Sequence, residues 1–218
     1  MYFLHRIYED LKKWLYDLPK IGPWLKKLTY GKIFESIQPG EIAIDCGANV
    51  GLVTRRLARS GVKVYAFEPD PQAFTVLEAC FRDNLDVTCI NKAVSDHKGE
   101  TRLYFHRERL KNPTKFSTAS SLLKDKGNVD EKSFTVCEVI DLSDFISHLD
   151  KPVALLKIDI EGEEVRILNA LIEKGVTGKI RHILVETHER IPSLKIPTEA
   201  LRKRIFDNKI RNIDLNWA

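Results

Sequence analysis

Two short titratable pairs carry the residues best suited to proton chemistry: Asp159 and Glu161 follow the apolar run Val153–Ile158, and Glu186 and His188 follow Ile180–Val185. Residues two apart on an extended backbone point the same way, so each pair faces one crevice if both runs are strands. A carboxylate or imidazole within hydrogen-bond reach of a hydroxyl can remove its proton. His188 and Asp159 are therefore the leading candidates for a general base, with Glu161 orienting an acceptor or a neighbouring side chain. Two other uses stay open. Glu161 and Gly162 can cap a helix beginning near Glu163, where acids favour the helix dipole. Asp159, Glu161 and His188 can also hold a divalent cation, since oxygen-rich sets suit magnesium. Spacing alone does not bring them together, so no metal is assigned.

A second constellation lies upstream, in Asp45-Cys46-Gly47-Ala48-Asn49-Val50-Gly51 and in Glu68-Pro69. Gly47 lets the backbone turn sharply and approach a ligand. The helix expected from Val50 presents free amides and a positive dipole end to an anionic group. Asp45 can accept hydrogen bonds from a cationic amine. A ligand with both an ammonium and a carboxylate, such as the methionine half of S-adenosylmethionine, matches that pair. Glu68, at the tip of the next strand, can take both hydroxyls of a ribose, and Pro69 offers an apolar wall to a base. The loop departs from G-x-G-x-x-G, which places nicotinamide binding second.

These residues need a scaffold, and the periodicity supplies one. Strands are expected at Ile42–Cys46, Val62–Phe67, Val87–Ile90, Val153–Ile158 and Ile180–Val185, with helices at Val50–Ala58, Pro71–Phe81 and Val165–Ile172. Such alternation predicts a doubly wound, mostly parallel α/β sheet with helices on both faces and ligands beyond the carboxyl ends of the strands. Thr101–His106 and Phe134–Ile140 read as further strands around a polar loop, a lid or a plain surface insertion. Ahead of all this, residues 1–39 form a helical extension, Tyr2–Leu18 and Trp24–Leu28, and residues 40–218 form the main domain.

Bulk properties exclude several classes. The 218 residues suit one domain, and 43% hydrophobic content can bury a core. A net charge of +4 is too slight for a dedicated nucleic-acid binder. Cys46, Cys80, Cys89 and Cys137 form no C-x-x-C pair, so buried free thiols are expected rather than zinc. Charged residues interrupt any N-terminal apolar run, which predicts a cytoplasmic protein.

The segments Ile44–Gly51, Ala66–Pro69 and Leu156–Gly162 together resemble the FkbM family of methyltransferases. Asn91–Ser95, Ser120–Leu122 and Val185–His188 fit weaker blocks of the same pattern. The resemblance implies a class I, Rossmann-like methyltransferase fold, S-adenosylmethionine as donor and an oxygen acceptor on a sugar, glycolipid or polyketide-like metabolite. By that likeness Asp45, Gly47, Ala48, Asn49 and Gly51 hold the methionine end, and Glu68 and Pro69 the ribose side. Asn91 and Ala93 lie near the adenine, and Asp159 serves both ligand and chemistry. The family's sheet usually ends in an antiparallel hairpin. Here only Ile210–Trp217 reads clearly as strand, and another strand is sought in the segment before it. The Asp159–Gly162 run differs from the Asn/Asp-Pro-Pro-aromatic run of base-amino methyltransferases, so a small-molecule or carbohydrate acceptor is expected and a nucleic acid is not.

Two other classes remain: a nicotinamide-dependent oxidoreductase, and a non-catalytic cofactor-binding interaction module. The lysines of the N-terminal helices, with Trp14, Tyr16 and Trp24, suit peripheral contact with an anionic membrane. The alternative is a helix packed over the site or a partner, its lysines on the wet face. Glu9, Asp10 and Asp17 dilute the positive charge and favour packing.

Overall fold

The first strand after Gly40, β1 (Ile42–Cys46), is buried along its whole length. It forms the centre of the sheet in the computed structural model, which describes residues 1–17, 19, 22–59, 61–108, 121–122 and 129–217. On one side lie β2 (Lys63–Phe67) and β3 (Val87–Ile90); on the other lie β7 (Val153–Ile158), β8 (Ile180–Val185) and β9 (Ile213–Asp214). The order is β3-β2-β1-β7-β8-β9, and every pairing is parallel. The order reverses between β1 and β7, which opens the crevice that doubly wound sheets use for ligands.

Helices cover both faces. Ile42, Ile44 and Cys46 point to the side packed by α5 (Leu142–Ser147), α6 (Glu164–Glu173) and α7 (Pro192–Asp207). Ala43 points to the opposite side, with Leu57 of α3 (Leu52–Ala58). Tyr16 of α1 (Tyr2–Asp17) and Tyr30, Phe34 and Ile37, in and just after α2 (Gly22–Glu35), complete that second core. The N-terminal helices thus wall one face of the sheet. The expected short helix at Trp24–Leu28 runs on to Glu35 because Tyr30 and Phe34 repay burial at helical spacing.

α4 (Pro71–Phe81) keeps its expected bounds. Pro71 sits in its first turn, and the Asp70 carboxylate accepts from the Gln72 and Ala73 amides at 2.9 and 3.3 Å, a cap that contributes about 1 kcal/mol.

Three features differ from expectation. β4 (Ala93–Ser95), β5 (Gly99–His106) and β6 (Val129–Asp141) form a separate three-stranded sheet, with β6 between the others. The segment before the last strand is the helix α7, because Thr198, Leu201, Arg202 and Ile205 bury one stripe despite Pro197. The strand expected at Ile210–Trp217 shrinks to two residues: the Asn216 amide donates to Asp214 at 2.9 Å and turns the chain into an antiparallel bridge with Glu186.

Of the cysteines, all free, Cys46 and Cys137 are buried, while Cys80 is exposed. No described helix is long and apolar enough to cross a membrane. Ser120 and most of the polar loop after His106 lie outside the described residues.

Candidate active site

Strand register explains why distant residues meet. Ile90, Phe67, Cys46, Ile158 and Val185 share one row across the sheet. The next residues, Asn91, Glu68, Gly47, Asp159 and Glu186, therefore emerge together at its carboxyl edge.

On the β1–β2 side the site is built from backbone. Gly47 has φ 77°, and a Cβ there would lie 1.8 Å from the Asp159 carbonyl oxygen. No other residue permits that approach of β1 to β7. The Glu68 carboxylate accepts from the Asn49 amide at 2.8 Å and the Asp70 amide at 2.8 Å. Burial nevertheless pushes its pKa up to about 7, against the pull of those amides. A carboxyl so enclosed, with acceptor capacity left, suits hydroxyl donors. The Asn49 side chain accepts from the Val50 amide at 2.9 Å and holds the loop. Gly51, at φ 88°, starts α3 where a Cβ would strike Phe81 and Leu77.

A cleft of about 640 Å³, open mouth included, lies above these groups. Gly47, Asn49, Glu68, Pro69, Ala93, Asp159 and Glu161 line it, as do the apolar side chains Phe67, Val94, Leu103 and Leu122. Asp45, Ala48, Gly51 and Asn91 sit outside that lining. The Asn91 side chain donates to the Glu68 carbonyl at 2.8 Å and braces the β2 tip. Asp45, expected to meet a ligand amine, is fully buried and accepts from Thr54 Oγ1 at 2.7 Å.

Asp45 is directly opposite Lys157, a residue given no role from sequence. The ammonium lies 3.3 Å from Asp45 Oδ1 and 3.6 Å from Asp159 Oδ2, and donates to the Gly47 carbonyl at 2.9 Å. Burial would lower its pKa, but Asp45 and then Asp159 outweigh that and hold it above the usual lysine value. Its signal in the sequence was a lone lysine in an otherwise apolar central strand.

On the β7–β8 side the site is built from charges. Nε2 of buried His188 is 3.0 Å from Glu161 Oε2, and Nδ1 is 2.9 Å from Glu164 Oε1. Asp159 and Glu186 stand 3.9 and 4.0 Å from Nε2. Burial favours neutral imidazole, yet the hydrogen bonds to Glu161 and Glu164 overcome it and push the His188 pKa up to about 10. Both ring nitrogens of His188 are thus engaged by carboxylates, Nε2 by Glu161 and Nδ1 by Glu164.

Glu161 adopts φ 61°, and its carbonyl accepts from Ser121 Oγ at 2.6 Å. Its carboxylate turns to His188 rather than to the helix start. The Glu164 carboxylate instead holds the loop ahead of the helix, accepting from the Ile160 and Gly162 amides at 3.1 Å each. Sequence reading passed over Glu164 because one more acid in a helix's first turn is ordinary. Burial raises the Asp159 carboxyl pKa, with Lys157 and His188 opposing; burial and then Asp159 raise that of Glu186. Asp159, Glu186 and His188 each bring one ligand atom within 4.8 Å of the others, a grouping a metal ion can use.

An open parallel sheet with a glycine loop, an enclosed acid at the second strand tip and a switch-point crevice marks a Rossmann-like, nucleoside-binding fold. The Methyltransferase FkbM domain matches residues 45–207, and the chain belongs to that family. It is an S-adenosylmethionine-dependent methyltransferase. No curated protein matches the sequence. An rRNA methylase from Streptococcus thermophilus is similar in structure at 13% identity and TM-score 0.41, over 78% of this chain and 75% of that one. A Streptococcus mutans protein described as a methyltransferase and solved with SAH aligns at 12% identity and TM-score 0.47, covering 82% and 81%.

Proposed function

We propose that this protein methylates a hydroxyl group of an uncharged small-molecule or carbohydrate acceptor that enters beside Asp159 and Glu161. The observation that carries this reading is a half-buried carboxylate, Asp159, facing the same cleft as Glu68. S-adenosylmethionine, when bound, supplies a methyl group already activated on a sulfonium. Glu68 would hold the ribose hydroxyls, Pro69 and Ala93 would flank the base, and Gly47 and Asn49 would border the methionine end. Lys157 pairs with Asp45 beneath the loop and, from 3.6 Å, opposes the effect of burial on Asp159. Asp159 then accepts the acceptor's proton as the new carbon–oxygen bond forms. His188 positions Glu161 and, as a cation, steadies Asp159. The acids at the mouth repel a polyphosphate chain, which supports a non-nucleic-acid acceptor. Both His188 ring nitrogens face carboxylates, so this reading uses imidazolium where a divalent ion would otherwise balance the charge.

Transfer of labelled methyl groups to a sugar and polyketide pool tests the proposal. Asp159→Asn is expected to lower turnover about a hundredfold or more while S-adenosylhomocysteine still binds by calorimetry. His188→Gln removes a cation near Asp159, so the acid limb of the rate profile moves to higher pH. Undiminished turnover in Asp159→Asn sinks the assignment.

A further inference from the structure

α1 is amphipathic but docked in the unusual sense, with its polar side inward. Tyr2 donates to Glu199 at 2.6 Å, Arg6 pairs with Glu199 at 3.0 Å, and Lys12 and Lys13 reach Asp214 and Glu189 at 2.8 and 2.5 Å. Glu9 accepts from the Asn216 side chain at 2.6 Å. The two lysines expected on a wet face are thus spent on the protein. The opposite stripe carries Phe3, Leu4, Ile7, Tyr8, Leu11 and Trp14, between 48% and 73% exposed. Spacings of three, four and seven residues place them along one side of the helix. A contiguous apolar face of that kind marks an interaction surface.

We propose that this face lies in the surface of an anionic lipid membrane. Half of its residues are aromatic, and tryptophan and tyrosine favour the membrane–water boundary. No charged residue interrupts the stripe. The sequence that follows, residues 18–34, contains Lys20, Lys26, Lys27 and Lys32 and no acid, which complements anionic headgroups. The same helix reaches Glu189, next to His188, so docking sets the lipid surface beside the carboxyl edge of the sheet. The proposal does not rest on the acceptor inferred above.

The full-length protein is expected to co-sediment with phosphatidylcholine–phosphatidylglycerol vesicles. Leu11→Glu and Leu4→Glu should each weaken this by roughly tenfold or more, with circular dichroism and S-adenosylhomocysteine binding unchanged. The fluorescence difference between the parent protein and Trp14→Phe should shift to the blue when vesicles are added, a reading that needs neither glutamate variant to fold. Absence of vesicle binding, binding that both glutamate variants leave intact, or no blue shift overturns the proposal. So does a dimer in sedimentation equilibrium that Leu11→Glu splits while vesicles remain unbound.

Discussion

The two halves of the crevice solve opposite problems. At the β1 and β2 tips, geometry comes from the backbone: a glycine against a carbonyl, and a carboxylate gripped by two amides. At the β7 and β8 tips, it comes from titratable side chains, with four carboxyl groups around one imidazole. Backbone contacts hold a common ligand in one pose and tolerate little change. A cluster of long acidic side chains can be re-set for a different acceptor. Lys157 joins the halves, touching Asp45 and Gly47 on one side and Asp159 on the other.

Breaking the backbone half should have the largest effect. Gly47→Ala drives a methyl group into the Asp159 carbonyl at a positive φ, so S-adenosylhomocysteine binding should fall below detection in calorimetry. Near-normal affinity would show that the β1–β7 approach is not rigid. Removing the join comes next. Lys157→Met leaves buried Asp45 without its counter-charge and should cost about 3–5 kcal/mol in denaturant unfolding. A neutral result would show that buried Asp45 does not depend on this counter-charge.

The smallest expected effect sharpens the comparison through pH. Burial pushes the Glu68 pKa up to about 7, so the carboxylate proposed for the ribose is present above that value and lost below it. S-adenosylhomocysteine affinity should therefore weaken as pH falls through about 7, and Glu68→Gln should flatten the dependence at roughly tenfold lower affinity. An affinity that is flat with pH in the parent protein would remove Glu68 from the ribose site.

The central strands and α4 were legible because their signals are local: apolar runs of strand length, and a proline after a capping aspartate. The C-terminal segment was not. Pro192, Ile196 and Pro197 weaken a helical pattern that tertiary burial of Leu201 and Ile205 restores. The candidate residues were also easier to find than to assign. Asp159, Glu161 and His188 do converge, but nothing near His188 in sequence announces that Glu164 lies 2.9 Å from its other nitrogen.

By itself the sequence determined the alternation of strands and helices, the glycine loop and the acid after β2, since each depends on neighbours a few residues away. Only the tertiary structure decided that Asp45 lies against Lys157, that both nitrogens of His188 meet carboxylates, and that α1 turns its apolar side outward. Those outcomes depend on charges brought together from distant segments and on burial, and electrostatic energies in a low-dielectric interior are set by distances that no spacing along the chain encodes.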